Sequence, residues 1–365
     1  MSSFYLGNLN PKAWAGDVNM NLKLILLSGV LVLLGGCTAH YELTVGDDDF
    51  DSSRLALVDQ LVDQAIRDGE IPGAVVMVSR GGNTDLLKAY GFADLDSDRA
   101  MSTDAIFRIA SMSKAITSVA VMILHERGYF QLGDPVSNYI PAFSQMKVIS
   151  ELDEEGNIVA TADAQNPIRI IDLLSHSSGI SYPFIQNALQ SVYVEAGLID
   201  GPTEKNITLE SQMMLLARQP LMFEPGERFL YGLNTDLLGY LVEVVSGQTL
   251  PEFVAANIIE PLSMTDTYFY LPPEKADRLV TLYAHVDGKG LVVSDGTESS
   301  IKIDNPNYPI EGAQTYHSGG AGMSSTAADY GRFLLMLLND GSLDGIRILS
   351  RKSVELMSAA RIDWD

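Results

Sequence analysis

The first clear helical period along the chain opens after Ser53. Leu57, Val58, Leu61, Val62, Ala65 and Ile66 fall on one face, with Ser53 placed to cap the helix and Gly69 to stop it. A Pro72-Gly73 break then changes the pattern. AVVMVS at 74–79 and TDLLKAYG, joined through Gly81-Gly82-Asn83, read as the two strands of a hairpin over 72–91. Helical spacing returns from about 112 to 127, with Ile116, Val119, Ala120, Ile123 and Leu124 on the apolar face and Gly128 as the stop. From about 130 to 300, helical pieces and loops are punctuated by proline and glycine. KVISEL and NIVATA, flanking Asp153-Glu154-Glu155-Gly156, predict a hairpin among them. STAADYGRFLLMLLN at 325–339 predicts an amphipathic helix capped by Ser324 or Ser325 and closed by Gly341, and a shorter helix follows near 350–358. No internal repeat breaks this order. The fold class is α+β, with a largely helical middle.

One segment stands outside that pattern. Residues 24–36, LILLSGVLVLLGG, form an apolar run too short for a comfortable membrane span, preceded by Lys23 and closed by small residues, which is the grammar of a secretory signal. The exit Leu34-Gly35-Gly36-Cys37 resembles the bacterial lipobox, in which the cysteine is lipidated; the alternative is an uncleaved anchor helix. A signal opening at Met20 has ordinary proportions, so the true start is expected there. The chain divides into a signal region over 1–37, an acidic tether over 38–53 containing GDDDFDSS, and a main domain over 54–365. The expected location is the bacterial cell envelope, with a lipid anchor in the membrane and the domain facing the periplasm.

Charge and cysteine count narrow the chemistry. With 24 basic and 47 acidic side chains the formal charge is -23, which argues against nucleic acid as a partner. Cys37 is the single cysteine, so neither an intrachain disulfide nor a cysteine-based metal cluster is available. His-Glu-x-x-His and Gly-x-Ser-x-Gly are both absent, leaving metal hydrolysis and the nucleophile elbow without support. No metal or cofactor is expected.

The segment Ser111-Met112-Ser113-Lys114 heads the helix expected at 112–127. Residues three apart on a helix share a face, with Cβ atoms about 5–6 Å apart, so the hydroxyl and the amine can meet. A serine needs a base beside it to be a nucleophile, and a helix N-terminus supplies a backbone N–H for a developing oxyanion. Ser144-x-x-Lys147 and Ser299-x-x-Lys302 share the spacing, but neither heads an apolar-periodic run.

These residues lie within FRIASMSKAITSVAVMILHERGYFQLGDPVSNYIPAF, followed by IRIIDLLSHSSGISY (168–182), EPGERFLYGLNTDLLGYLVEVVSGQTL (224–250) and GGAGMSSTAADYGRFLLMLLNDG (319–341). From about residue 55 onward the chain resembles the β-lactamase-related serine hydrolases: class C β-lactamases, D-alanyl-D-alanine peptidases and family VIII carboxylesterases. The resemblance implies a β-lactamase/transpeptidase-like fold, an antiparallel sheet flanked by helices with a mainly helical insertion at about 130–300. It implies Ser111 as nucleophile, Lys114 as its proton-accepting neighbour and Tyr231, in Tyr231-Gly232-Leu233-Asn234, as proton relay. Leu233 stands where the lactamases carry asparagine, which resembles the carboxylesterase branch. Asn234 is a candidate substrate contact or helix cap, and His176 looks like a structural loop histidine. His317-Ser318-Gly319 superficially fits the family's third motif and is a candidate substrate-binding segment. It precedes the 325–339 helix, however, and is preferred as a loop near the cleft. The family's later strands, one of which carries the second oxyanion-hole donor, are then expected beyond Asp365, as if the chain were a fragment. The implied activity is hydrolysis of a small ester or amide through an acyl-enzyme, carboxylesterase-like before β-lactamase or D-Ala-D-Ala carboxypeptidase. The alternative of another class is an inactive, lipid-anchored binding protein.

Overall fold

The computed structural model describes residues 52–80, 82–294 and 307–360. The signal region with Cys37, nearly all of the acidic tether, and the Ser299-x-x-Lys302 match lie outside the described residues.

Helix α1 (Ser52–Arg67) opens one residue before the expected cap, and the hairpin follows as β1 (Gly73–Arg80) and β2 (Asn83–Asp94). Two short strands, β3 (Arg99–Ala100) and β4 (Phe107–Arg108), lead to a 3-10 turn at Ala110–Met112 and then to α2 (Ser113–Glu126). The middle of the chain holds the hairpin β5 (Lys147–Leu152) and β6 (Ile158–Asp163), then α3 (Ile170–Leu174), α4 (Gln190–Glu195), α5 (Leu209–Leu216), α6 (Asn234–Ser246) and α7 (Leu250–Val254). A second hairpin that periodicity did not reveal, β7 (Tyr283–Val286) and β8 (Gly290–Val293), closes it. The last elements are β9 (Ser324–Ser325), α8 (Ala327–Leu338), the two-residue strands β10 (Ser342–Leu343) and β11 (Ile346–Arg347), and α9 (Arg351–Met357).

Among the described residues the main sheet is antiparallel in the order β1-β2-β3, with α1 against β2 and α8 against β1. The principal core lies elsewhere. Helix α2 packs chiefly against α6, and Ile116, Val119, Ala120, Val121, Met122 and Leu124 are 1% exposed or less. Leu237, Leu238, Leu241 and Val242 of α6 are wholly buried against them. A helix enclosed on so many sides holds the 3-10 turn that leads into it in a fixed place, and that turn carries Ser111.

The cap expected at Ser324 or Ser325 falls instead on Thr326, whose side chain accepts from the Asp329 amide at 3.1 Å. Ser324 and Ser325 are extended and pair with Arg108 and Phe107, just ahead of the 3-10 turn. Tertiary pairing has taken the two serines out of the competition for the cap.

Candidate active site

Ser111 is exposed at the head of α2, and its Oγ lies 2.6 Å from the Tyr231 hydroxyl. Lys114 Nζ donates to the same Oγ at 3.2 Å and to the Gly320 carbonyl at 2.8 Å. The amine also stands over the Tyr231 ring at 4.6 Å and the Tyr182 ring at 5.4 Å. One hydroxyl is thus held between a phenol and an amine, two groups through which its proton can leave. The residue before it, Ala110, has φ +43, a left-handed conformation costly for a residue with a Cβ. That kink turns the chain from β4 into the helix and presents Ser111 at its head.

Tyr231 is set by its neighbours. Its ring stacks on His176 at 5.0 Å and meets Tyr182 at 5.2 Å. The next residue must be glycine, because a Cβ at position 232 would come within 2.1 Å of the Ile180 carbonyl oxygen. His176 Nδ1 accepts from the Gly232 amide at 3.3 Å and lies 3.0 Å from the Asn234 amide nitrogen. An accepting Nδ1 requires the neutral ring. Burial, helped by the charge of Lys114, pushes His176 down to about 4, so it remains neutral and supports the Tyr231 turn.

Asn234 is not at the surface. It is the first residue of α6, wholly buried, with its amide nitrogen directed at His176 and its carbonyl accepting from Ser178 Oγ. It does not cap the helix, whose cap position is Leu233. The loop at 317–319 is likewise engaged by its own neighbours. His317 packs edge-on against Phe269 and Tyr270, Ser318 is wholly buried against Asp236, and the Gly319 carbonyl accepts from Thr117 Oγ1 at 2.8 Å. The neighbour that reaches the site is Gly320, through a backbone carbonyl no sequence motif announces. Ser144 and Lys147 form no comparable pair, since Lys147 is tied to Asp163 across the β5–β6 hairpin.

A cavity of about 380 Å³ runs along α2, and Ala115, Ser118 and Met122 line it together with Leu174 and Phe229. Ser111, Lys114 and Tyr231 do not line it. The lining is mainly apolar, and Phe229 is 42% exposed at its edge. Among the described residues no group of three or more His, Cys, Asp or Glu side chains is gathered as metal ligands would be.

An antiparallel sheet beside a helical body, with a Ser-x-x-Lys pair heading the buried helix, defines the β-lactamase/transpeptidase-like class. Residues 58–363 match the family model described as Beta-lactamase, and the chain belongs to that family. It is 33% identical over 291 residues to Esterase EstB of Burkholderia gladioli, covering 78% of this chain and 70% of the relative. The solved structure of EstCE1, a hydrolase with promiscuous acyltransferase activity, superposes with a TM-score of 0.73 at 31% identity, over 86% of this chain and 78% of that one. Simvastatin Synthase (LovD) from Aspergillus terreus gives a TM-score of 0.68 at 26% identity, over 84% and 72%. Esterases and acyltransferases are thus both among its relatives.

Proposed function

We propose that the protein is a serine hydrolase that acts on small esters through an acyl-enzyme, with Ser111 as nucleophile. The reading rests on one observation: Ser111 Oγ lies within 2.6 Å of the Tyr231 hydroxyl and 3.2 Å of Lys114 Nζ. Oγ attacks the ester carbonyl carbon and its proton passes into the Lys114–Tyr231 pair. As the tetrahedral intermediate collapses, the C–O bond to the alcohol breaks and the pair returns the proton to the leaving oxygen. Water then attacks the acyl-enzyme by the reverse route, and Ser111 recovers its proton.

One feature favours an ester over a β-lactam: Leu233 carries no amide and Asn234 is buried, so neither offers a side-chain amide at the cleft. The test is to expose the intact protein to a fluorophosphonate and, separately, to a fluorescent penicillin, and to map the adduct by peptide mass. Labelling of Ser111 by the first alone is expected. Labelling by penicillin moves the assignment to the lactam-reactive branch, and labelling by neither leaves an inactive binding protein. The same proposal includes an envelope location with Cys37 lipidated, on the strength of Leu34-Gly35-Gly36-Cys37. Cys37→Ala is expected to release the protein from pelleted membranes.

A further inference from the structure

Asp236 is buried with no exposure near the N-terminus of α6, and the acyl-enzyme chemistry above does not use it. Its Oδ1 accepts from Ser318 Oγ at 2.7 Å and from the Tyr316 hydroxyl at 3.2 Å. Its Oδ2 packs against Gly320, where a Cβ would come within 2.5 Å of it. Burying a carboxyl is costly, and its retention calls for a reason beyond packing.

The reason lies in what the carboxyl grips. Ser318 Oγ, while donating to Asp236, accepts from the Ala321 amide at 3.0 Å, and the Gly322 amide closes the same turn onto the Ser318 carbonyl at 2.9 Å. Gly320 sits within that turn, and its carbonyl is the one that receives Lys114 Nζ. Any side chain at 320 would be driven into Asp236 Oδ2 or the Tyr182 hydroxyl, so the carboxyl and the turn are fitted to each other. The charge of Lys114 is also felt at Asp236. Burial raises the carboxyl above its usual range, while Ser318, Lys114, Tyr316 and the Gly320 amide pull it down. The ionisable groups around the pair are Tyr316, Tyr182 and, beyond Tyr182, Tyr231 and Asp200.

We propose that Asp236 is the positioning residue for Lys114: through Ser318 it fixes the turn whose Gly320 carbonyl aims the amine at Ser111. This rests on the acyl-enzyme reading. Two variants test this role. In Asp236→Asn the amide oxygen still accepts from Ser318 and Tyr316, so the turn holds; in Asp236→Ala both bonds are lost. The readout is the rate of fluorophosphonate labelling of Ser111 against pH, on protein whose melting curve shows it folded. In Asp236→Asn the plateau rate should stay within about threefold of the original. Asp236→Ala is expected to lose about tenfold or more at the plateau. A folded Asp236→Ala with the original plateau overturns the proposal, as does a folded Asp236→Asn that loses as much as Asp236→Ala. Should Asp236→Ala fail to fold, Ser318→Ala, which removes the same link between carboxyl and turn, decides instead. No labelling of the unaltered protein defeats the acyl-enzyme reading instead, which keeps the two failures apart.

Discussion

Helix α2 and strand β1 are both rich in apolar residues, yet the protein treats them differently. Seven apolar positions of α2, from Ile116 to Leu124, are no more than 4% exposed, whereas no residue of β1 is fully buried. The difference follows from neighbours. Helix α2 is packed by α6, α7 and the π-helical turn at Ala255–Ile259, while β1 has β2 along one edge and α8 on a face. Apolar composition therefore marks what can be buried, and tertiary surroundings decide what is. The consequence for function is that the candidate nucleophile heads the enclosed element.

That contrast can be broken or sharpened by substitution, and the largest effect should come at the exposed end of the enclosed helix. Ser111→Ala is expected to abolish probe labelling and ester turnover while leaving the melting temperature almost unchanged, because Ser111 is exposed and only its Oγ is engaged. A variant that loses stability as well would mean that the Ser111 hydroxyl is part of the scaffold.

Within the scaffold, Leu238→Ala removes a wholly buried side chain where α6 meets α2. Truncation of such a leucine costs about 2–5 kcal/mol, the spread reflecting how far the cavity collapses. Urea unfolding measures it, and labelling of Ser111 should fall in the fraction that remains folded if α2 loses its fixed seat. A cost below about 1 kcal/mol would show that the α2–α6 interface is loosely packed.

These same elements show what could be read in advance. The helix at 112–127 and the Ser111–Lys114 spacing were legible because both are local. Tyr231 reaches Ser111 across 120 positions, and only the family resemblance pointed to it. Gly320 and Asp236 gave no signal: one acts through a backbone carbonyl and the other through a buried turn. Asn234, expected as a substrate contact or helix cap, is buried and does not cap the helix, because α6 docks against the loop at 176–181. Local rules likewise assigned the α8 cap to serines that pair with β4.

The His176 loop offers a smaller, pH-dependent effect. In the unfolded chain the ring takes up a proton near pH 6.5, and in the fold it does so only near 4. The unfolded state therefore binds more protons between those values, so stability from this group is complete above about 6.5 and is lost as the pH falls toward 4. The contribution is at most about 3 kcal/mol. His176→Gln should flatten the stability profile over that window, read from urea midpoints at several pH values. An unchanged slope would place the ring in water in the folded state.

The smallest effect belongs to the open sheet. Val76, opposite Lys88 in the β1–β2 register, is half-buried on a strand whose other edge is unpaired among the described residues. Val76→Ala removes two methyl groups from a site that still touches water, so the expected cost is about 1 kcal/mol or less. The measurement is the shift in urea midpoint at constant m, set beside that of Leu238→Ala. If the two substitutions cost the same, β1 is packed as tightly in solution as α2, and burial of its outer edge by another segment or another molecule becomes the explanation to pursue. If Val76→Ala is cheap, the sheet is the compliant part of the fold, and the geometry at Ser111 is set by the helices alone.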